Sequence, residues 1–259
     1  MPVHPTAIVD PAAKIHPEAE VGPFCIIGPE VEVGARTRLM ANNFVDGRTI
    51  IGDDNTFFPY SSIGVASQDR KYKGEPAVTR IGHRNQIREF VTIHRGTQGG
   101  GALTSIGDDC LLMTYAHVAH DCHLGNHVIL GNSVGLAGHV TVEDWADVSP
   151  FAGVHQFCRI GRHAFVGPYS IIKQDVMPFS LTSHQPEVQV FGANAIGLSR
   201  RGIEKSSIEA LQTALRLLTR AGLNTTQAVE RIRDEVPRCA EVSCLLEFIE
   251  SSERGVLKG

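Results

Sequence analysis

Aromatic residues are scarce in this 259-residue chain, which has eleven Phe, four Tyr and one Trp. Its core must therefore be built mainly from aliphatic side chains. Neither sign of charge is in excess, since 24 Lys and Arg stand against 28 Asp and Glu, and we expect no nucleic-acid partner. No apolar run approaches the roughly 18 residues of a membrane-spanning helix, so no integral membrane segment is expected.

Two further absences concern the compartment and metal chemistry. The six cysteines include no Cys-x-x-Cys pair, which argues against a disulfide scaffold and against a zinc ribbon. The sequence begins Met-Pro-Val-His-Pro, without the cationic and apolar regions of a signal peptide. We therefore expect a cytoplasmic protein with reduced thiols.

Aliphatic or large apolar residues recur every six positions through most of the chain. The series contains 26 positions: Val3, Val9, Ile15, Val21, Ile27, Val33, Leu39, Val45, Ile51, Phe57, Ile63, Ile81, Ile87, Ile93, Ile106, Leu112, Val118, Leu124, Leu130, Leu136, Val142, Val148, Val154, Ile160, Val166 and Ile172. A period of six fits neither an α-helix, which needs 3.6, nor an extended strand, which needs 2. The pattern predicts short segments joined by turns, in a chain that coils so that equivalent segments stack.

Two other columns follow the same period. Glycine comes directly after 11 of the 26 apolar positions, which we interpret as a need for positive φ at a tight corner. Four residues after each apolar position stands a small or slim residue, and four of the six cysteines fall there, so we expect buried, unreactive thiols. The pattern resembles the hexapeptide-repeat acyltransferases.

That resemblance implies a mainly β fold, a left-handed parallel β-helix with three hexads to a coil. Its handedness comes from the resemblance, because periodicity fixes the repeat and not the hand. We expect the β-helix domain to cover residues 1–186, with about nine to ten coils at eighteen residues each.

Helical spacing replaces the hexads in the remainder, and residues 187–259 are expected to form a C-terminal α-helical domain. A first helix is predicted between Glu204 and Ala221. A second, capped by Thr225 or Thr226, should end at Pro237. A third contains the apolar residues Val242, Leu245, Leu246 and Ile249.

Five of the twelve histidines crowd into one segment, at positions 117, 120, 123, 127 and 139. In the coil register, residues eighteen apart stack about 4.8 Å from each other. His120 should therefore lie over Gly138, and Asp121 over His139. A histidine beside an unobstructed backbone N–H suits acyl transfer, which needs a general base and an oxyanion donor.

The residues alone leave two other interpretations of this cluster open. His117 with His123, or His123 with His127, are candidate zinc ligands at a subunit interface, as in the hexapeptide-fold carbonic anhydrases. Alternatively, the coil is a non-catalytic spacer that forms trimers, and its outward histidines are solvated.

Two inserts interrupt the period. The segment QDRKYKGEP at 68–76 must leave the coil as a loop, either as a ligand-binding loop or as a surface excursion. The second insert, HRGTQGGGALTS, contains Gly99, Gly100 and Gly101, which match no phosphate-binding motif and are interpreted as a flexible linker.

Several motifs together resemble the UDP-N-acetylglucosamine acyltransferases that begin lipid A synthesis: QDRKYKGEP, TIHRGT, LLMTYAHVAHDCHLGN, LAGHVTVEDWA, VHQFCRIG and GLSRRG, in this order. The resemblance covers nearly the whole chain. It implies transfer of an (R)-3-hydroxyacyl chain from acyl carrier protein to the 3-hydroxyl of UDP-N-acetylglucosamine. It also implies a homotrimer with active sites between neighbouring prisms, no metal, and no cofactor beyond the phosphopantetheine of the carrier protein.

The same resemblance assigns residues to roles. For catalysis it implies His120 as general base, Asp121 as its polarising partner and the Gly138 amide as oxyanion donor. For substrate binding it implies Gln68, Asp69, Lys71, His94, His117, His139, His155, Gln156, Asn194, Arg200 and Arg201. For the acyl-chain groove it implies Met113, Phe165 and Pro168.

Two positions depart from the pattern of that family. Ile196 stands where an acidic residue is usual, which affects a ribose or uracil contact. Pro168 stands where many members have Gly, beside a bulky Phe165, so we expect acyl chains of fewer than about fourteen carbons to be preferred. Some members acylate a 3-amino analogue of UDP-N-acetylglucosamine, and N-acylation by the same mechanism remains the alternative activity.

Overall fold

Short strands make up nearly all of the first three quarters of the chain. The computed structural model describes residues 3–183 and 187–258. In chain order the strands are β1 Ile8–Val9, β2 Lys14–Ile15, β3 Glu20–Val21, β4 Ile26–Ile27, β5 Glu32–Val33, β6 Arg38–Leu39, β7 Phe44–Val45, β8 Arg48–Ile51, β9 Thr56–Phe57, β10 Ser62–Val65, β11 Val78–Ile81, β12 Gln86–Ile87, β13 Thr92–His94, β14 Leu103–Ile106, β15 Leu111–Leu112, β16 His117–Val118, β17 His123–Leu124, β18 Ile129–Leu130, β19 Gly135–Leu136, β20 Thr141–Val142, β21 Asp147–Val148, β22 Gly153–Val154, β23 Arg159–Ile160, β24 Phe165–Val166, β25 Ile171–Ile172, β26 Ser180–Ser183 and β27 Gln189–Ala193.

Successive strands from β1 to β25 belong in turn to three parallel sheets, whereas β26 and β27 pair antiparallel. The first sheet runs from β1 to β25, the second from β2 to β23, and the third from β3 to β24, with β26 and β27 added at its end. Within a sheet each strand pairs with the equivalent strand one coil later, as Ile8 pairs with Ile26 and His117 with Gly135. The nine strands of the first sheet confirm a parallel β-helix with three hexads to each coil.

The two inserts lengthen single coils and leave the stacking of the strands intact. Ser62 pairs with Thr92 across the first insert, and Thr92 pairs with His117 across the second. Residues 66–77 and 95–102 therefore leave the coil between the first and second sheets and return to the same register. Both loops project at the corner that also carries His120.

The aliphatic column fills the interior of the prism. A continuous buried cluster extends from Ala19 to Val176, and each fully buried Val, Leu or Ile contributes about 1.5–3 kcal/mol relative to an exposed one. The cysteines of the small column, Cys25, Cys110, Cys122 and Cys158, are buried and free. The prediction that they are core residues is confirmed.

The glycines after the aliphatic column have a different cause from the one predicted. Positive φ occurs two residues further on, at non-glycine residues such as Phe24 and Arg36. Gly34 itself is required because a Cβ there would lie 2.6 Å from the carbonyl carbon of Gly52 on the next coil. Gly64 is the exception in this column, because its φ is +68°. At the other glycines of the column, close packing between coils leaves no room for a side chain. The prediction of positive φ was therefore wrong for them.

The C-terminal part folds against the end of the third sheet. Its helices are α1 Ala195–Arg200, α2 Lys205–Arg220, α3 Thr225–Glu235 and α4 Ala240–Glu250. The three predicted helices are confirmed as α2, α3 and α4, whereas α1 was not predicted. Asn224, and not Thr225 or Thr226, caps α3, because its side chain accepts a hydrogen bond from the Gln227 N–H in a capping box.

The two cores meet before the predicted domain boundary. The prism core ends at Val176, and a second buried cluster, which includes α2 to α4, begins at Met177. The predicted boundary between residues 186 and 187 adjoins residues 184–186, which lie outside the described part of the chain. No helix among the described residues combines the length and apolarity needed to cross a membrane.

Candidate active site

A hydrogen-bonded His–Asp pair occupies the turn between β16 and β17. Nδ1 of His120 lies 2.8 Å from Oδ2 of Asp121, so the Nδ1–H donates a hydrogen bond to the carboxylate and Nε2 is left as the basic nitrogen. The Asp121 side chain is fully buried, whereas the His120 side chain retains 14 % exposure. The arrangement presents an oriented imidazole base at the surface.

The second insert holds the carboxylate of this pair. Asp121 accepts hydrogen bonds from the N–H and the hydroxyl of Thr97, at 2.9 and 2.6 Å. The hydroxyl of Thr104 accepts from the Asp121 N–H at 2.8 Å. No role was predicted for either threonine from the sequence. Thr97 is the last residue of the TIHRGT motif, and its place in that motif could have identified it as a site residue.

The triple glycine of this insert is not the flexible linker that was predicted. Gln98–Gly100 forms a 3₁₀ turn, and a Cβ at Gly100 would lie 2.1 Å from Cγ of Asp121. A Cβ at Gly96 would lie 2.8 Å from Oδ1 of the same carboxylate. Glycine is therefore required at positions 96 and 100, because the loop backbone packs directly on Asp121 there.

Gly138 lies against the His120 ring from the next coil, as the eighteen-residue offset predicts. A Cβ at Gly138 would lie 2.5 Å from Cε1 and 2.6 Å from Nε2 of His120. The Gly138 N–H donates no hydrogen bond to any residue in the described part of the chain. Other turns have Pro150 and Pro168 at the same position, so the fold does not need this N–H.

Three further histidines surround the pair. The His139 ring lies edge-on to His120, with centroids 5.0 Å apart, and its Nδ1 is 4.0 Å from Oδ2 of Asp121. Nδ1 of His117 is 2.7 Å from the hydroxyl of Thr92. The His94 ring meets the His117 ring edge-on at 5.1 Å. These positions bring together five of the residues that the sequence suggested for the site, namely His94, His117, His120, Asp121 and His139.

These surrounding histidines are held in the neutral form. Burial lowers the pKa of His94 to about 4. Burial, followed by the charge of His120, lowers the pKa of His117. Burial also lowers the pKa of His139, although the Asp121 carboxylate opposes the shift. Neutral imidazoles both donate and accept hydrogen bonds, which suits a polar sugar substrate.

The first insert approaches the same corner. Burial lowers the pKa of His139, and the Asp69 carboxylate is close enough to oppose part of that shift. Oδ1 of Asp69 accepts a hydrogen bond from the Lys71 N–H at 2.9 Å. The side chains of Gln68 and Lys71 are exposed. On the other side of Gly138, Gln156 stands one coil further on, and the neighbouring Phe157 ring stacks on His139 at 4.4 Å.

His155 is also exposed at this corner. Its Nδ1 lies 3.3 Å from a guanidinium nitrogen of Arg254, in the C-terminal segment. The predicted residues near His120 thus follow one edge of the prism, between the first and second sheets.

The remaining predicted residues lie elsewhere on the chain. Phe165 is on the third sheet and lines a cavity of about 310 Å³ with Asn194, Arg200 and Arg201. Met113 and Pro168 belong to turns between the third and first sheets. A single chain therefore does not bring these residues to His120, and Phe165 shares a cavity with Asn194, Arg200 and Arg201 rather than with Met113.

Asn194 and Ile196 line this cavity differently. The Asn194 side chain caps α1 by accepting from the Gly197 N–H, and it donates to the carbonyl of His163 at 3.1 Å. Ile196 is 71 % exposed and adds an apolar wall where an acidic residue was the family expectation. The guanidinium of Arg201 donates to the carbonyl of Trp145 at 2.8 Å.

The histidine pairs of the zinc interpretation do not converge within one chain. His117 lies on the first sheet and His123 on the second, where Nδ1 of His123 is 2.9 Å from the Ser105 hydroxyl. The His127 ring stacks on Trp145 at 3.8 Å. Among the described residues, the potential ligands that do converge are His120, Asp121 and His139.

Comparisons with known proteins agree with this geometry. The family model described as Udp N-acetylglucosamine O-acyltransferase, Domain 2, matches residues 175–257, and the bacterial transferase hexapeptide model matches residues 103–138. The acyl-[acyl-carrier-protein]--UDP-N-acetylglucosamine O-acyltransferase of Thermodesulfovibrio yellowstonii is 44 % identical over 256 residues, 99 % of each chain.

Solved structures give the same result. The UDP-N-acetylglucosamine acyltransferase of Bacteroides fragilis is 39 % identical with a TM-score of 0.95, over 98 % of this chain and 99 % of that one. The Francisella novicida enzyme is 37 % identical with a TM-score of 0.95, over 99 % and 94 %. The left-handed β-helix and the resemblance drawn from the motifs are confirmed. This chain is an enzyme that belongs to the UDP-N-acetylglucosamine O-acyltransferase family.

Proposed function

We propose that this enzyme transfers an (R)-3-hydroxyacyl chain from acyl carrier protein to the 3-hydroxyl of UDP-N-acetylglucosamine. Family membership supports the donor and acceptor, since the Thermodesulfovibrio relative is named for both. The observation that carries the mechanism is the His120–Asp121 pair, 2.8 Å apart, packed on the backbone of Gly138.

In this mechanism Nε2 of His120 is the general base. It accepts the proton of the acceptor hydroxyl while that oxygen forms a bond to the thioester carbonyl carbon. Asp121 accepts a hydrogen bond from the Nδ1–H of His120, which orients the ring and stabilises the imidazolium that results. The buried position of Asp121 strengthens that interaction, because water does not screen it.

The carbonyl oxygen becomes an oxyanion in this step. The Gly138 N–H, which no described residue uses, donates a hydrogen bond to it. The intermediate collapses when the carbon–sulfur bond breaks, and the pantetheine sulfur leaves and takes the proton from His120. All groups that act on the proton and the oxyanion then belong to the protein, so we propose that neither a metal nor a resident cofactor takes part. The phosphopantetheine arrives with the donor.

A homotrimer is proposed because, within one chain, the predicted substrate-binding residues lie on different faces of the prism. The catalytic pair lies at the edge between the first and second sheets, whereas the cavity of Arg200 and Arg201 lies on the third sheet. Lateral packing of prisms places a different face of each neighbour opposite the catalytic edge. Complete sites between chains would therefore be formed from one copy's catalytic edge and another copy's third sheet. We further propose that the enzyme acts in the cytoplasm, where acyl carrier protein is available.

One assay tests the proposed reaction. Purified enzyme is incubated with acyl carrier protein thioesters of several lengths, each with UDP-N-acetylglucosamine or its 3-amino analogue, and products are identified by mass. We expect the ester of UDP-N-acetylglucosamine to form faster than the amide of the analogue. Faster amide formation would show N-acylation to be the activity, and no product with either acceptor would contradict the proposal.

Metal content and assembly are measured on the same sample. Elemental analysis is expected to find no stoichiometric zinc in fully active enzyme, and sedimentation is expected to give three times the mass of one chain. Zinc that is required for turnover would instead support metal catalysis.

A further inference from the structure

An acidic residue interrupts an apolar column on the outer face of the third sheet. Asp147 on β21 pairs with Ile129 on one side and with Phe165 on the other. Its side chain is half-buried between them. A carboxylate in apolar surroundings loses hydration, and this loss is unfavourable unless a donor replaces the water.

The described part of the chain provides no such donor. Within residues 3–183 and 187–258, the Asp147 carboxylate takes part in no hydrogen bond or ion pair closer than 4 Å. Burial raises the pKa of Asp147, and the charge of Arg201 opposes that shift. The guanidinium of Arg201 is itself bonded to the carbonyl of Trp145. The carboxylate oxygens are therefore left with acceptor capacity.

Asp147 lines the 310 Å³ cavity that also contains Arg200 and Arg201. Of the other polar side chains there, Asn194 already accepts from the Gly197 N–H and donates to the His163 carbonyl. Ile196 offers no polar atom. The Asp147 carboxylate is thus the side chain of this cavity that is left to accept hydrogen bonds from a ligand. Arg200 and Arg201 are the cationic groups of the cavity.

We propose that Asp147 is a specificity-determining residue that accepts hydrogen bonds from the ribose hydroxyls of the bound nucleotide. This inference rests on the proposed function and on an assignment of Arg200 and Arg201 to the nucleotide phosphates, which planar guanidinium groups suit. The two oxygens of a carboxylate match the two donors of a vicinal diol, a contact that other nucleotide sites also use. Charge repulsion keeps the phosphates on the arginine side, so the site orients the nucleotide.

Binding of UDP and of 2′-deoxy-UDP to the intact oligomer, measured by titration calorimetry, tests the proposal. We expect the wild-type enzyme to bind UDP about tenfold more tightly than 2′-deoxy-UDP, because a charge-assisted hydrogen bond is lost. Asp147→Asn should bind UDP about ten- to a hundredfold more weakly, and its preference for UDP over the deoxy compound should fall to about one.

Glu20→Gln is the matched control. Glu20 also projects outward from the third sheet, but it is exposed and pairs with Arg38 at 2.9 Å. This variant should bind both compounds as the wild type does. An Asp147→Asn enzyme that keeps the tenfold preference would overturn the proposal.

Two other results are distinguishable from that one. If Asp147→Asn changes the sedimentation behaviour and weakens both compounds equally, Asp147 is a contact between copies of the chain and the proposal is wrong. If the wild-type enzyme binds neither compound and does not acylate UDP-N-acetylglucosamine, the proposed function fails together with this inference.

Discussion

The imidazole of His120 occupies the space that a side chain at position 138 would need. A Cβ on Gly138 would approach Nε2 of His120 to 2.6 Å. The two residues lie on neighbouring coils, so the period of the β-helix itself places the proposed base beside the proposed oxyanion donor. The fold therefore produces the site without a dedicated loop for either group.

Gly138→Ala should impair catalysis through this contact. The added methyl group must displace the His120 ring, while the backbone N–H at 138 is retained. We expect kcat to fall about a hundredfold or more, because a general base contributes roughly that much. Steady-state kinetics measures the loss, and thermal unfolding separates it from a loss of fold. A variant with unchanged kcat would show that the ring tolerates displacement.

Two adjacent glycines in the second insert offer a matched pair. A Cβ at Gly100 would lie 2.1 Å from Cγ of Asp121, whereas a Cβ at Gly99 meets nothing within 4 Å. We expect Gly100→Ala to lower kcat at least tenfold and to lower the melting temperature, because the loop must move off the carboxylate. Gly99→Ala should resemble the wild type in both. Equal behaviour of the two variants would refute the role assigned to the loop.

Stability should depend on pH through His94. Burial lowers its pKa from 6.5 to about 4, so below pH 6.5 the unfolded chain binds a proton that the folded chain does not. The contribution of neutral His94 is therefore fully present above about pH 6.5 and is lost as the pH falls towards 4.

His94→Leu removes this dependence while it keeps an apolar side chain in the site. We expect the loss of unfolding free energy between pH 7 and pH 4.5 to be about 1–3 kcal/mol smaller in the variant. Urea unfolding at one fixed protein concentration measures both proteins. Identical losses would mean that His94 titrates normally.

Acyl-chain preference tests the role assigned to Pro168. Pro168 is exposed at a turn between the third and first sheets, and we expect the wild-type enzyme to prefer chains of fewer than about fourteen carbons. Pro168→Gly removes the ring and should shift the preference towards longer chains by about tenfold. A mixture of carrier-protein thioesters, analysed by mass, gives the profile. An unchanged profile would remove Pro168 from the groove.

Periodicity predicted the fold because the repeat is local and almost uninterrupted. No insertion falls between β14 and β25, so an offset of eighteen residues was enough to place His120 over Gly138 and Asp121 over His139. The same argument identified the buried cysteines, whose column is a consequence of the narrow interior.

The errors concern contacts that a repeat does not encode. The Gly column was assigned to positive φ because glycine tolerates it, yet crowding by the next coil explains Gly34. Thr97 was missed because its contact with Asp121 spans 24 residues through an insert outside the period. Met113 lies in the turn after β15, whereas Phe165 lies within β24, although both strands belong to the third sheet. This difference follows from the position of each residue in its hexad rather than from motif order.

The C-terminal part shows a further limit. Helical spacing identified α2 to α4, but α1 has six residues and no clear apolar stripe. Its position depends on the Asn194 cap and on the hydrogen bond from Asn194 to His163. Such tertiary contacts determine whether a short helix forms, because a helix of six residues has too few hydrogen bonds to be stable alone.

The central claim is that His120 is the base that accepts the proton of the sugar hydroxyl, and kcat/KM of His120→Ala tests it most directly. His127→Ala is the matched control, since His127 stacks on Trp145 at another corner of the prism. We predict a loss of about 10²- to 10⁴-fold for His120→Ala with UDP binding retained, and a control close to wild type. A His120→Ala enzyme with kcat/KM within a few fold of wild type would contradict the account.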